Sequence, residues 1–294
     1  MKRLSISLFI VATCIALASA AGKNIETTSV FKFYKGENCI SYKIDTSNDD
    51  PTDVVVDEEN LTHYQVNQWR LFWPETVNGK NSTRLHITLA DALSPTNKFH
   101  PTNDKGALKV MGDYIIEENP IHIKSGAVLP GNMEDMPFGT VGSSRTTLDL
   151  KGSGDLLYVF EIFHDIYYPG AAHGMQVNSY VTYDPNNDKV VKLTDIVTDT
   201  TALRTVATKH LFERYEVSNM AELIETTGYF LEGEDYLPLP HQFYFYNGDL
   251  HLVYQPYEIA AYVFGIIDID VPSYLLSQNG ILSKYAESLM DPDY

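Results

Sequence analysis

The sequence has little cysteine, and it contains none of the short signatures of common catalytic sites. Cys14 and Cys39 are the only cysteines in 294 residues. No G-x-S-x-G, H-E-x-x-H, C-x-x-C, P-loop or G-x-G-x-x-G pattern occurs. Stability must therefore come from burial of a core, which a chain of this length can supply. No catalytic residue, cofactor or metal site is predicted.

Basic residues are also scarce. The chain has 21 Lys and Arg against 39 Asp and Glu, which gives a formal net charge of −18. A field of this sign repels nucleic acid and anionic membrane surfaces, and it steers a cationic partner toward the protein. The alternative is that the acidity only keeps an exported protein soluble, and composition alone favours that alternative.

The N-terminal residues 1–20 have the pattern of a secretory signal peptide. A short basic start is followed by the apolar run Leu4–Leu17 and by Ala18-Ser19-Ala20, an A-x-A cleavage pattern. The apolar run is shorter than the ~20 residues needed to cross a bilayer, so a membrane span is the weaker interpretation. Lipidation of Cys14 is the main alternative, and it would anchor the chain to a membrane.

Cleavage after Ala20 would remove Lys2 and Arg3 and lower the formal charge from −18 to −20. Cys39 would then be the only thiol, and a single cysteine cannot form an internal disulfide. We interpret Cys39 as a small buried hydrophobe in a strand, because its surroundings in sequence do not give the electropositive setting of a reactive thiol.

The order of predicted strands and helices indicates an α+β fold. It has a largely antiparallel sheet with helices packed on one face, arranged as two α+β subdomains. Residues 124–145 are rich in Gly, Pro, Met and Ser and lack periodicity, so we place a boundary there. The prediction is an N-terminal domain over residues 21–145 and a C-terminal domain over residues 146–294.

A hairpin centred on Asn247-Gly248 is the strongest local signal, because both central residues tolerate a positive φ. The turn sets Phe245 opposite Leu250 and Phe243 opposite Leu252 on an apolar face. Tyr244 then lies opposite His251 on the other face.

Other segments predict regular elements. The predicted strands are Thr28–Tyr34, Cys39–Ile44, Leu156–Tyr168, Met175–Tyr183, Lys189–Leu193 and Ile266–Val271, with Lys35–Asn38 as a turn. The predicted helices are Ala107–Glu118, Thr201–Tyr215 capped by Asp199 or Thr200, a short helix from Asn219, and two short helices at the C-terminus.

His164 and His173 are the histidines with possible chemical roles. His164 lies on one face of a predicted central strand, where a buried neutral imidazole with a backbone partner is the favoured interpretation. His173 stands in the tight segment Gly170–Gly174. It either ties the loop by hydrogen bonds, binds a ligand, or acts in catalysis or metal ligation.

Three further binding candidates lie beyond the hairpin. Tyr257 and Tyr262 follow Pro256, which ends the strand, so a recognition role suits them better than sheet packing. Glu258 stands among apolar residues and needs a partner. A salt bridge or hydrogen bonds to main-chain amides come first, and a binding role comes second.

Several of these segments together resemble a known bacterial family. Gly170–Gly174, Leu193–Ile196, Phe243–Phe245 and Gln255–Tyr262 occur in the order seen in the domain of unknown function of the RsiV/PdaC type. The resemblance covers roughly residues 145–275, and it implies an associated N-terminal domain before them. It also implies export to the periplasm or cell surface of a bacterium.

The resemblance, together with the predicted export, the acidity and the tyrosine-rich C-terminal half, leaves three functions open. The first is a non-catalytic envelope binding protein that recognises lysozyme-like muramidases or peptidoglycan, since members of the family include sensors that bind lysozyme. The second is a cell-wall hydrolase or deacetylase-associated protein with His173 in its site. The third is a structural role in an envelope complex, with Tyr257 and Tyr262 at an interface. No membrane span and no sigma-binding segment are predicted, so an anti-sigma factor of that form is excluded.

Overall fold

The computed structural model describes residues 11–12, 29–45, 61–94, 99–117, 119–154 and 156–290. The predicted signal segment lies outside these residues apart from Val11 and Ala12, and so does Cys14. The predicted α+β fold with largely antiparallel sheets is confirmed. None of the described helices is long and apolar enough to span a bilayer.

Strands make up much of the described chain. They are β1 Val11–Ala12, β2 Val30–Ile44, β3 His63–Thr76, β4 Pro120–Ser125, β5 Val141–Ser153, β6 Tyr158–Tyr167, β7 Met175–Asp184, β8 Lys189–Val190, β9 Gln242–Tyr246, β10 Asp249–Tyr254 and β11 Ile267–Pro272.

The described helices are shorter on average. They are α1 Thr83–Leu93, α2 Asp104–Gly112, α3 Leu193–Ile196, α4 Thr200–Tyr215, α5 Met220–Thr227, α6 Ser273–Gln278 and α7 Lys284–Glu287, with single 3₁₀ turns at Met133–Asp135 and Tyr262–Phe264.

The chain forms two compact units. Unit 1 contains residues 11–12, the described residues from 29 to 149, and Ile162–Met175. Unit 2 contains Leu150–Glu161 and the described residues from 176 to 290. Strands β5 and β6 contribute to both units. An independent N-terminal domain over residues 21–145 remains a prediction.

Unit 1 is built on a mixed sheet. Strands β2 and β3 are antiparallel, while β1 and β4 pair with β2, also antiparallel. Strands β3 and β5 run parallel, from Tyr64 opposite Val141 to Leu71 opposite Leu148. A parallel pair needs a long connection, and α1, α2 and β4 lie within it. Helix α1 packs on β3, since the His86 ring lies 5.3 Å from that of Trp73.

Strand β2 differs from its prediction because it is continuous through Lys35–Asn38. Gly36 lies under the ring of Trp69, its partner on β3, and a Cβ at position 36 would come within 2.3 Å of that ring. Glycine at this position leaves room for the Trp69 ring to lie over the strand, and it does not form a turn.

Helix α2 also differs from its prediction, Ala107–Glu118. It starts at Asp104, because Asn103 caps it by accepting a hydrogen bond from the Gly106 N–H, and it ends at Gly112. Strand β8 is shorter than predicted, because α3 begins at Leu193.

Unit 2 combines the ends of β5 and β6 with β7 and β8, and adds the antiparallel sheet β11-β10-β9. The predicted hairpin register is confirmed, with Phe245 opposite Leu250 and Tyr244 opposite His251. The apolar face of this sheet joins the buried face of α4 in one core. Its members include Leu203, Val206, Leu211, Phe245, Leu250, Leu252, Ile269 and Val271.

Strand β11 lies at one edge of this three-stranded sheet, and α4 reaches it. Arg214 Nη2 donates to Asp270 Oδ1 over 2.6 Å, and the His210 ring is hydrogen-bonded to the main chain of Asp270. Helix α4 begins as predicted, with Asp199 accepting from the N–H groups of Thr201 and Ala202.

Candidate functional site

Two loops of unit 2 lie side by side and carry three of the predicted site residues. The first loop follows α5, and the second joins β10 to β11. The Phe230 N–H donates to the Ile259 carbonyl over 2.7 Å, which ties the loops together. Tyr229, Leu231, Ile259 and Ala260 are buried in the core of unit 2, so both loops are anchored from beneath.

Several apolar side chains of these two loops are exposed to solvent. Val263 is 86% exposed, while Phe230, Tyr257 and Phe264 are each about half exposed, at 52%, 52% and 51%. The rings of Tyr257 and Tyr262 lie 5.8 Å apart. We call Phe230, Tyr257, Tyr262, Val263 and Phe264 the aromatic surface. Rigidly held aromatic groups of this kind are typical of recognition sites.

The backbone at Tyr257 is left-handed, with φ at +70°. This conformation is uncommon for a bulky residue and costs on the order of 1 kcal/mol or more. A turn holds it: the Tyr257 N–H donates to the Ala260 carbonyl, and the Glu258 N–H to the Gln255 carbonyl. The turn directs the Tyr257 side chain to solvent.

Glu258 supports the same turn from within. Its carboxylate accepts from the Gln255 N–H over 2.8 Å and from the His241 N–H over 3.3 Å. These are the main-chain amide partners that the sequence suggested first. Glu258 therefore positions the loop that carries Tyr257 and Tyr262.

An acidic stretch follows Phe230 on the first loop. Residues 232–236, Glu-Gly-Glu-Asp-Tyr, are all exposed. Arg204 fixes the stretch by donating to Glu234 and to the Tyr236 and Leu237 carbonyls. Glu232 and Asp235 form no ion pair with any described residue. The loop thus presents uncompensated negative charge next to the aromatic surface.

The two histidines are placed differently. His173 is exposed in unit 1, and its Nδ1 lies 2.8 Å from the Gly174 carbonyl oxygen. His164 is buried, with Nε2 donating to the Ala92 carbonyl over 3.1 Å and Nδ1 accepting from Thr146 Oγ1 over 3.0 Å. Burial lowers the pKa of His164, opposed in part by the Ala92 carbonyl. This is the neutral, backbone-bonded imidazole that the strand pattern favoured.

The sequence predicted Tyr244 opposite His251 on the other face of the hairpin, but it did not indicate that Asp268 joins them in a polar cluster. Asp268 accepts from the Tyr244 hydroxyl over 2.6 Å and from His251 Nδ1 over 2.9 Å, and the two rings stack 4.1 Å apart. Burial alone would raise the pKa of Asp268, but the hydrogen bonds from His251 and Tyr244 lower it.

Lys151 extends this cluster. Its Nζ lies 5.3 Å and 5.1 Å from the ring centres of Tyr180 and Tyr244, and 3.4 Å from a Glu161 oxygen. The Tyr180 hydroxyl also donates to Glu161. Within the described part of the chain, no Ser, Thr or Cys side chain is hydrogen-bonded to this cluster as a nucleophile would be. This arrangement is typical of a polar network with a structural role, in which the groups satisfy one another's hydrogen bonds.

No group of three His, Cys, Asp or Glu side chains within the described ranges is arranged to hold a metal ion. Tyr257, Glu258 and Tyr262 come together in unit 2, while His173 belongs to unit 1. Phe230, Val263 and Phe264 were missed. The only signal for Val263 and Phe264 was an apolar run beside Gly265, which is equally typical of a strand, and Phe230 had no such signal.

Known proteins support a family assignment for part of the chain. Residues 185–274 match the model of a family described as a protein of unknown function, DUF3298. This segment is therefore similar to the DUF3298 domain. It contains both loops of the aromatic surface, the acidic stretch and the Asn247-Gly248 hairpin. No curated protein matches the chain.

Two solved structures are similar in fold to this chain. A DUF3298 family member from Bacteroides fragilis is 17% identical, with 87% of this chain and 94% of that chain covered and a TM-score of 0.59. A DUF3298 family protein from Pseudomonas aeruginosa is 16% identical, with 88% and 95% covered and a TM-score of 0.53. At these identities the likeness concerns the fold alone.

Proposed function

We propose that this chain is an exported, non-catalytic binding protein of the bacterial envelope. Its partner is a cationic protein of the lysozyme-like muramidase class. The observation that carries the proposal is the aromatic surface beside an acidic stretch on the adjacent loop. The aromatic surface alone would indicate a binding site but not the charge of its partner, and the acidic stretch adds the preference for a cation.

The two features have separate tasks in this proposal. Exposed aromatic side chains supply most of the binding energy when they enter pockets of a partner. Uncompensated carboxylates accelerate encounter with a cationic protein and reject anionic ones. Because Glu258 and Arg204 hold the loops in place, little ordering would accompany binding.

Export and the class of partner rest on the sequence. The signal-peptide pattern of residues 1–20 supports a periplasmic or cell-surface location. The RsiV/PdaC-type resemblance of residues 145–275 supports a muramidase as the partner. A formal charge of −18 suits such a partner. Peptidoglycan is the second ligand that the same resemblance suggests.

Calorimetry of the mature protein with hen-type lysozyme, at low and at physiological salt, tests the proposal. We expect binding that weakens only modestly with salt. Binding that disappears at physiological salt would reduce the effect to attraction between net charges. Absence of binding to several lysozymes at low salt would overturn the proposal.

Paired variants locate the surface. Phe264→Ser combined with Tyr257→Asn, an asparagine being tolerated at positive φ, should weaken binding at least about tenfold. Tyr274→Ser is the matched control, because Tyr274 is an exposed tyrosine on α6 outside the aromatic surface. Equal loss in both proteins would count against the surface.

A wall-acting enzyme with His173 in its site is the second candidate. It is supported by the exposed imidazole in a tight Gly-rich segment. Release of products from peptidoglycan by the wild type, and not by His173→Ala, would favour it. If neither protein releases products, the binding function stands alone.

A further inference from the structure

Unit 1 contains a cleft that the proposed binding function does not use. Its volume is about 700 Å³, within the range of sites for small molecules. It lies between helix α2 and the segments on either side of it. The lining residues are Phe99, His100, Pro101, Gly106, Lys109, Val110, Asp113, Tyr114, Ile115, Glu117, Asn119 and Pro120.

The walls of this cleft are held from behind by hydrogen bonds. Tyr34 on β2 donates its hydroxyl to Asp104 over 2.7 Å, and Asn38 donates to the carbonyl of Gly112, so both ends of α2 are fixed. Asn67 on β3 donates to the Tyr114 carbonyl over 2.7 Å. The cleft is therefore preformed, which reduces the ordering cost of binding.

The charged groups of the cleft are not all paired. Lys109 Nζ lies 2.8 Å from Asp113, and His100 Nδ1 lies 3.3 Å from Asp91. Glu117 has no hydrogen bond or ion pair with any described residue. Its carboxyl is partly removed from water, and this burial raises its pKa. A desolvated carboxylate without a counter-charge is costly unless a ligand supplies one.

A second polar group of unit 1 also lacks a partner. Tyr42 is 1% exposed, and its hydroxyl has no hydrogen-bond partner among the described residues. Burial raises the pKa of Tyr42, and the negative charge of Glu117 raises it further. Buried polar atoms are nearly always satisfied in folded proteins. Unit 1 thus has two polar groups without a partner among the described residues, and one of them, Glu117, lines the cleft.

The apolar part of the lining limits what a ligand can be. Phe99, Val110, Tyr114 and Ile115 accept a short hydrocarbon body, and aromatic side chains also attract cations. An anion would meet Glu117 and be repelled. A neutral apolar ligand would desolvate Glu117 further without pairing it.

We propose that this cleft binds a small organic cation, with an ammonium group at Glu117 and a short apolar body against Phe99, Val110 and Tyr114. This site is separate from the aromatic surface, and the proposal does not depend on muramidase binding. The ligand class is a primary or substituted amine small enough to enter the cleft.

Three probes of equal length separate charge from hydrophobicity: n-pentylammonium, 1-pentanol and pentanoate. Binding to the full mature protein is followed by chemical-shift titration of the backbone amides. We expect n-pentylammonium to shift amides of residues 99–120 and to bind at least about tenfold more tightly than 1-pentanol. Pentanoate should bind least. Equal affinity for the cation and the alcohol would overturn the proposal.

Variants separate the cleft from the general negative field of the protein. Glu117→Gln keeps the shape and removes the charge, and it should weaken n-pentylammonium binding about tenfold or more. Glu134→Gln is the matched control, because Glu134 is an exposed carboxylate of unit 1 that does not line the cleft. A change below about threefold is expected there.

Both variants are first checked for unchanged thermal unfolding. An equal loss of affinity in Glu117→Gln and Glu134→Gln would assign the binding to overall acidity and overturn the proposal. Shifts confined to residues outside the cleft would do the same.

Discussion

Units 1 and 2 differ in how they treat their buried polar groups. In unit 1 the Tyr42 hydroxyl and Gln65 Oε1 are buried without a partner among the described residues. In unit 2 the equally buried Tyr254 hydroxyl donates to the Pro238 carbonyl, and Asp184 accepts from Asn186, Asn187 and Tyr285, while Asn178 Oδ1 is buried without a partner among the described residues. The two units therefore differ in their fully buried tyrosine hydroxyls: among the described residues, Tyr42 of unit 1 lacks the acceptor that Tyr254 of unit 2 has. The candidate binding groups of unit 2 lie on its loops instead.

Removal of a core leucine from either unit should have the largest effect on stability. Leu252 of unit 2 and Leu71 of unit 1 are both fully buried. Each change to alanine should lower the free energy of unfolding by about 2–5 kcal/mol, measured by urea denaturation. A much smaller loss for Leu71→Ala would show that the interior of unit 1 is loosely packed as well as incompletely bonded.

Two arginines sharpen the comparison at the surface. Arg204 of unit 2 makes three hydrogen bonds to the loop at residues 234–237, so Arg204→Ala should cost about 1.5–3 kcal/mol. Among the described residues Arg70 of unit 1 pairs with Asp149 alone, and both are well exposed. Arg70→Ala should cost less than about 1 kcal/mol in the same assay. Similar losses in the two variants would contradict this difference.

Stability should depend on pH through His164 of unit 1. Its pKa is lowered by burial, so the unfolded chain takes up a proton at a higher pH than the folded protein does. Above about pH 6.5 both forms are neutral and His164 contributes no pH dependence. As the pH falls below that value, stability should drop by up to about 1.4 kcal/mol per pH unit until the folded imidazole titrates.

Urea unfolding at pH 7.5 and pH 5.5, compared between the wild type and His164→Gln, isolates this contribution. The lowered pKa of His210 affects both proteins and cancels in the comparison. The wild type should lose more stability than the variant between the two pH values. A parallel loss would mean that His164 is not held neutral.

The smallest effect tests the difference between the units most directly. Tyr254→Phe should cost about 1 kcal/mol, since it leaves the Pro238 carbonyl without its donor. Tyr42→Phe should be neutral or slightly stabilising, because its hydroxyl has no partner to lose. Thermal unfolding of the two variants gives the comparison. An equal loss in Tyr42→Phe would reveal a bound partner, such as a buried water.

The sequence predicted the elements that local rules control. Asn247-Gly248 determined a hairpin register because the turn accepts positive φ at both positions. Asp199 and Asn219 indicated where α4 and α5 begin, since their side chains cap the first turn. These elements lie in the segment where the family resemblance was also strongest.

The features that were missed or wrongly predicted from the sequence depend on contacts between residues that are far apart in the chain. Gly36 suggested a turn because its companion, the ring of Trp69, is 33 positions away. Helix α1 was not predicted, although Leu85, Leu89 and Leu93 follow a helical spacing. The parallel pairing of β3 with β5 spans two helices and left no local pattern.

The candidate sites divide in the same way. Tyr257 and Tyr262 were predicted because they follow a proline that ends a strand. Glu117 was not, because a carboxylate without a partner is recognisable only when every nearby group is placed. Phe230 joins the site through a single main-chain bond to Ile259, which no sequence pattern encodes.

The contact between α4 and β11 has a consequence for self-association. A terminal strand with open N–H and C=O groups is a template on which another chain can add a strand and begin an aggregate. Here the His210 ring is hydrogen-bonded to the main chain of Asp270 in the middle of that strand, and Arg214 binds the Asp270 carboxylate beside it. Helix α4 therefore obstructs the pairing of another strand at this point of the edge.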